Sequence, residues 1–273
     1  MTIYGERSES PVLIESIVAF IDLLGSKDAA VDLEHQQRRL NQLVNGLSRA
    51  RDIAALPQVD GYAATATFTD NIVVGYPLDE TGYPESRDAE KIWAVLIRVL
   101  GSAAGYQLEL AKEGLFVRGG MAIGPLWIDD LFAFGGGLNS AYRIESEVAR
   151  YPRILVSNEI VELARWIKPY LSGTSRPWLE NYLLRGWDGA VFVNYLFDES
   201  TRIHPASDFL DAHKMAIGAG LYENQSQPVV YEKYLWLRTY HNFFCHKFGK
   251  TEYVMDTRDE LYEFFPFDLE SEQ

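Results

Sequence analysis

Tyr62-Ala63-Ala64-Thr65-Ala66-Thr67-Phe68-Thr69-Asp70-Asn71-Ile72-Val73-Val74-Gly75-Tyr76 is the stretch whose reading decides the fold. Alanine and threonine alternate in its first arm and β-branched residues fill its second. It therefore reads as two strands, 62–69 and 71–76, joined as a hairpin with Asp70 at the tip. Upstream, residues 12–21 are rich in isoleucine and valine and long enough for a buried central strand that ends at Asp22, with Gly25 closing the turn. Between the two lies a stretch, 32–55, in which Leu40, Leu43, Val44 and Leu47 recur at helical spacing. Downstream, 77–87 is a polar loop, Ile92, Val95, Leu96, Val99 and Leu100 mark a second helix, and 115–123 is a further strand. The order is β-α-β-β-α-β. It predicts an α+β sandwich on the ferredoxin-like plan, with helices on one face of a mostly antiparallel sheet.

Further along, the pattern predicts a short strand over 127–134, a helix over 138–150, and a strand over 154–156 with Ser157 as the next helix N-cap. After Lys168 the signals change to Trp178, Gly186, Trp187, Gly189 and a strand over 190–195, then two helices near 206–220 and 228–247. This divides the chain into a core over 1–168 and a C-terminal elaboration over 169–273 packed on it as one compact domain. The acidic tail from Phe264 to Gln273 is expected to fray.

The 273 residues are 47% hydrophobic, enough to bury a full core. Apolar runs are broken before the roughly 18 residues that a membrane span needs, and 1–10 has no signal-peptide pattern, so a soluble cytoplasmic protein is expected. One cysteine, Cys245, excludes an internal disulfide framework and a cysteine-rich zinc site. The excess of 39 acidic over 25 basic residues, a formal charge of −14, argues against polynucleotides and anionic membranes as partners. A nucleoside triphosphate is still allowed, because local arginines and divalent metals outweigh the distant field within about one Debye length, ~8 Å at physiological salt.

Several residues carry candidate chemistry. Asp22 and Asp70 lie at the ends of strands expected to neighbour each other, and two converging carboxylates suit Mg²⁺ or Mn²⁺ completed by substrate phosphates. Each alone also suits a turn. Leu23-Leu24-Gly25 permits a tight turn whose N–H groups can face a triphosphate. Arg118 stands between apolar neighbours in a strand, where it needs a salt bridge or a phosphate, and Gly119 and Gly120 are read as opening space beside it. Past Gly135-Gly136-Gly137, Asn139 and Arg143 share one helical face at i and i+4, an amide and a fork donor that suit the extra charge of a phosphoryl transition state. Asn139 taken alone is also a good helix cap. The histidines are scattered and suggest structural roles, and the aromatics between Tyr231 and Phe244 read as packing.

In order, Phe20-Ile-Asp22-Leu-Leu-Gly25, Phe68-Thr-Asp70, Val117-Arg118-Gly-Gly-Met-Ala-Ile-Gly124 and Gly135-Gly-Gly-Leu-Asn139-Ser-Ala-Tyr-Arg143-Ile-Glu-Ser146 resemble the class III nucleotidyl cyclase catalytic domain over about 15–160. The resemblance implies a unit that pairs head to tail as a homodimer with shared active sites. Asp22, Asp70 and the main chain of Ile21 would hold two Mg²⁺ or Mn²⁺ ions, and Arg118 with the main chain of Leu23, Leu24 and Gly25 would bind the triphosphate. Asn139 and Arg143 of the partner subunit would reach across to the reacting phosphate. Cyclases that act on purines carry a lysine six residues before the second metal acid and an aspartate seven before the asparagine, and Ala64 and Phe132 stand there instead. With the extended C-terminal part, the chain resembles the pyrimidine cyclases of bacterial antiphage Pycsar systems. That implies conversion of UTP to 3′,5′-cyclic UMP and pyrophosphate, with the product acting on a separate effector protein. CTP, a purine triphosphate, or nucleotide binding without turnover are the alternatives.

Overall fold

The computed structural model describes residues 4, 11–24, 36–37, 40–48, 50, 63–68, 71–78, 89–129, 131–171, 175–197, 207–255 and 263–267. Strand β1, Ile14–Leu23, lies inside the sheet. It pairs antiparallel with β3, Asn71–Pro77, on one side and with β4, Val117–Ile128, on the other. Strand β2, Ala64–Phe68, pairs antiparallel with β3 from Ala64 opposite Gly75 to Phe68 opposite Asn71, which is the expected hairpin. Its tip, Thr69 and Asp70, lies outside the described residues. The order β2-β3-β1-β4 with every neighbour antiparallel is the ferredoxin-like plan read from the hairpin.

The sheet then continues. Strand β5, Ala133–Phe134, folds back on β4, and β6, Ile154–Val156, lies parallel to β4. Strands β7, Leu183–Gly186, β8, Val191–Val193, and β9, Phe264–Pro266, complete nine strands among the described residues. Three places differ from expectation. The tail expected to fray from Phe264 is held at its start, where Phe264–Pro266 pairs with β7 as β9. Trp127 closes β4 rather than opening a new strand, because β4 runs unbroken through Gly124-Pro125. The helix read over 92–100 is α1, Ala89–Lys112, which carries on through Gly101 and Gly105. Each interior glycine costs about 1 kcal/mol relative to alanine. Buried Ala103, Ala104, Leu108 and Leu110 pack the helix onward and offset that cost. Residues 40–48 are helical, as their spacing suggested.

Helices cover both faces of the sheet, which corrects the one-sided arrangement expected from the sequence. Alternation along β1 is the cause: Ile17, Ala19, Ile21 and Leu23 join the core under α1, while Val18 joins a smaller cluster with Ala122, Leu126 and Ala141 on the other face. Ala141 belongs to α2, Gly136–Arg143, which passes directly into a π-helical turn, Ile144–Val148. Glycines let α2 sit close. A Cβ on Gly120 would collide with the Ala141 carbonyl and Ile144, and one on Gly137 would come within 2.7 Å of Val18 and 2.8 Å of the Gly124 carbonyl. Gly119 and Gly120 therefore make room for protein, Gly119 beside the Phe20 carbonyl and Gly120 beneath α2, and not for a phosphate as the sequence had suggested.

The helices α3, Asn158–Ile167, α4, Ser175–Tyr182, α5, Ser207–Glu223, and α6, Pro228–Lys247, follow. Ser157 holds the N-cap position of α3, although its side chain makes no capping bond. Trp236, Tyr240 and Phe244 of α6 are buried, and Trp236 and Tyr240 pack on Phe192 and Phe264, so the aromatic run is packing as expected. A buried polar chain crosses this part. His241 Nε2 lies 3.0 Å from the Tyr253 carbonyl, which can only accept, so His241 carries its proton there. His213 Nδ1 then donates to His241 Nδ1 at 3.0 Å, and the Tyr195 hydroxyl donates to His213 Nε2 at 2.6 Å. Every position in the chain is filled with both rings neutral, and burial lowers both imidazoles below the ordinary histidine range, His213 well below it. Burial pushes the Cys245 thiol up to about 12, which keeps it inert.

Two outcomes follow for stability. Gly120→Ala is expected to cost about 1–3 kcal/mol through overpacking against α2, read as a lowered denaturation midpoint. The histidines' folded values are depressed, so their contribution is complete above the unfolded value near pH 6.5 and is lost as pH falls below it. Urea unfolding at pH 7.5 and 5.5 should show lower stability at pH 5.5, and His213→Gln should flatten that difference.

Candidate functional site

On the α2 face, two i, i+4 rows of the same helix do opposite things. The inner row is Gly137, Ala141 and Glu145, all buried. Gly137 rests on Gly124 and Val18, Ala141 lies over Gly120, and Glu145 meets Arg118. The outer row is Asn139, Arg143 and Glu147, all exposed. Burying the two small residues and the acid forces the amide and the guanidinium outward.

Asn139 is not a helix cap. Gly135 is the N-cap, with φ of 147°, and the helix begins at Gly136, so Asn139 sits a turn inside with its amide N–H bonded to the Gly135 carbonyl at 3.2 Å. Arg143 has a side chain 72% exposed and an ion pair with Glu147 at 3.5 Å, a pair that holds it weakly. Beside it, Tyr142 packs edge-on against Phe20 of β1 with ring centroids 5.3 Å apart.

Asp22 lies within β1 as its penultimate residue, directly opposite Arg118 of β4. The Arg118 Nη2 is 3.7 Å from Asp22 Oδ2, and Arg118 Nε is 2.5 Å from Glu145 Oε1. The closer contact is an ion pair with a nearly enclosed carboxylate. The side chains are graded in exposure: 24% for Asp22, 29% for Arg118, 3% for Glu145. The arginine thus links the strand-end acid to the helix, and the sequence had given Glu145 no role. Its position four residues after Ala141 and eight after Gly137 was the available signal, a small-residue row ending in an acid.

The remaining predicted residues are placed unevenly. Ile21 has its side chain in the core and its backbone between Ile72 and Gly119, so only its carbonyl is a potential ligand. Leu23 pairs with Val117, and the Leu24 N–H donates to the Phe116 carbonyl at 2.8 Å, so that amide is already used within the protein. Gly25 and Asp70 lie outside the described residues. Ala64 is buried in β2. Phe132 is 44% exposed and tilts against Trp127 with centroids 4.9 Å apart, in a turn held by Asp129 accepting from the N–H groups of Leu131 and Phe132 at 2.8 and 3.0 Å. Neither position offers a hydrogen-bonding side chain. Among the described residues no group of three or more His, Cys, Asp or Glu is arranged to hold a metal, and no helix is long and apolar enough to cross a membrane.

No protein-family model matches the chain, and no curated protein matches it. Among solved structures it is similar to the adenylyl cyclase CyaB from P. aeruginosa, at 17% identity over 66% of this chain and 92% of that one, with a TM-score of 0.40. It is also similar to the guanylyl cyclase Cya2, at 17% identity over 55% of this chain and 78% of that one, TM-score 0.36. A third is the monomeric guanylyl cyclase domain of the RhoGC fusion protein from the aquatic fungus Blastocladiella emersonii, at 12% identity over 66% and 94%, TM-score 0.37.

Because the Asp22 side chain is 24% exposed at a strand end, Asp22→Ala is expected to change stability by no more than about 1 kcal/mol. Thermal melts of the variant should overlay those of the parent within a few degrees, and a loss of folded protein would give Asp22 a structural role instead.

Proposed function

We propose that the chain is a nucleotidyl cyclase that converts UTP to 3′,5′-cyclic UMP and pyrophosphate, and that it works as a homodimer. The observation that carries this reading is the division of labour on α2: its inner row fixes the helix to the strands bearing Asp22 and Arg118, while its outer row leaves Asn139 and Arg143 exposed. The ordered motifs around Asp22, Arg118, Asn139 and Arg143 support the same assignment.

The donor set fits hard divalent cations. Asp22 offers carboxylate oxygen at a strand end and already attracts a cation, the Arg118 guanidinium. Asp22, the Ile21 carbonyl and Asp70 would hold Mg²⁺ or Mn²⁺. Bound there with the substrate's phosphates, such ions would favour ionisation of the 3′-hydroxyl and neutralise triphosphate charge. The protein's own groups do the rest. Arg118 binds the triphosphate, as a guanidinium forks onto phosphate oxygens. The 3′-oxygen bonds to the α-phosphorus as it loses its proton, and the bond to the β-phosphate's bridging oxygen breaks to release pyrophosphate. Asn139 and Arg143 of the partner subunit stabilise the charge that builds on the α-phosphoryl oxygens in that step. Arg143 is available for it, being tied only weakly to Glu147.

Exposed Leu131, Phe132, Phe134 and Tyr142 flank this face and give a second copy apolar surface to cover. The apolar Ala64 and Phe132 leave a purine edge without polar partners, which supports a pyrimidine substrate. The cyclic product would serve as a messenger read by a separate effector protein in antiphage defence.

Purified protein incubated with each of the four ribonucleoside triphosphates and Mn²⁺ should release cyclic UMP, identified by mass, faster than any other product. Asp22→Ala should abolish release, and Asn139→Ala and Arg143→Ala should each slow it by roughly 10²-fold or more, by analogy with the loss of one oxyanion donor. Turnover of ATP or GTP above UTP would reassign the base, and absence of any cyclic product would overturn the reading.

A further inference from the structure

We propose that Glu145 is a positioning residue for Arg118: it anchors the guanidinium beside Asp22, where the arginine stands in for a divalent cation until one binds and frees it for the triphosphate. The inference rests on the nucleotide-site reading above and adds to it an order of events and a residue.

Three observations carry it. Glu145 is nearly enclosed, with a side chain 3% exposed, and a carboxylate so placed needs a cation; Arg118 is at 2.5 Å. Arg118 is held more closely by Glu145 than by Asp22, at 2.5 against 3.7 Å, so the guanidinium belongs first to the helix and only leans on the strand-end acid. The Arg118 side chain is 29% exposed, so its outer part reaches solvent while Glu145 holds its Nε. Replacing Glu145 by a neutral isostere removes the closer of these two contacts and leaves Asp22 to draw Arg118. The same acid also ties the helix carrying Asn139 and Arg143 to the strands carrying Asp22 and Arg118, so one residue sets the register between the two halves of the site.

The test is binding of Mn²⁺ alone to the full-length protein, without nucleotide, by calorimetric titration and by the loss of the free-ion paramagnetic resonance signal. Glu145→Gln is expected to weaken Mn²⁺ binding about tenfold or more, because a negative charge near the site is gone and Arg118 closes on Asp22. Glu145→Asp, which keeps the charge with a shorter reach, should recover part of the loss. Arg118→Met should bind Mn²⁺ alone several-fold more tightly than the parent and a non-hydrolysable triphosphate analogue more weakly. In the Arg118→Met background, Glu145→Gln should have a much smaller effect, since the acid acts through the arginine. Folded Glu145→Gln and Glu145→Asp proteins that both bind Mn²⁺ like the parent would overturn the proposal while leaving the cyclase reading intact. A parent that binds no Mn²⁺ with or without triphosphate would overturn both.

Discussion

The close seating of α2 on the central strands is the constraint from which the rest of the site follows. Gly137 can lie on Gly124 and Val18, and Ala141 over Gly120, only because side chains are missing where a Cβ would collide. Packing density leaves no alternative rotation for the helix. With the small residues inward, the row offset by two positions, about 200° around the helix, must face out, and that row carries Asn139 and Arg143. The residues proposed to carry the chemistry are thus aimed by residues that have no chemistry of their own.

The same seating brings the one acid of the inner row, Glu145, onto Arg118. A charge chain runs from the helix to the strand end, Glu145 to Arg118 to Asp22, enclosed at Glu145 (3% exposed) and part-exposed at Arg118 and Asp22 (29% and 24%). Buried charge is costly unless matched, so the inner end is fixed and the outer end is exchangeable. On the proposed reading, an arginine poised between two acids is held by them without nucleotide and becomes a phosphate ligand when a cation engages one acid, so that binding proceeds by exchange of partners.

Much of this was legible in the sequence, where periodicity and turns are explicit. The hairpin around Asp70, the helical row of Leu96, Val99 and Leu100, and the short strand at Ile154 all declare themselves through local pattern. The helix length did not, because the row that marks it ends at Leu100 while burial of Leu108 and Leu110 carries α1 onward through Gly101 and Gly105. Which face α2 covers was equally invisible, since it depends on contacts between glycines far apart in sequence. For that reason Gly119 and Gly120 were read as space for a phosphate, although they accommodate the protein's own backbone and side chains. Asn139 and Arg143 were picked out by spacing, and the structure disposes of the capping alternative for Asn139. Glu145 escaped because nothing local marks an acid as inward-facing until Ala141 and Gly137 are known to be.

If the outward row of one molecule completes the strand-end acids of another, two inactive proteins should repair each other. Mixing Asp22→Ala with Arg143→Ala and allowing subunits to exchange leaves one intact site in each mixed dimer. With free exchange, cyclic nucleotide release should return to about a quarter of the parental rate, since half the dimers are mixed and each keeps one of two symmetric sites. Mixed dimers demonstrated by mass and still inactive would contradict the account and place the whole reaction within a single chain.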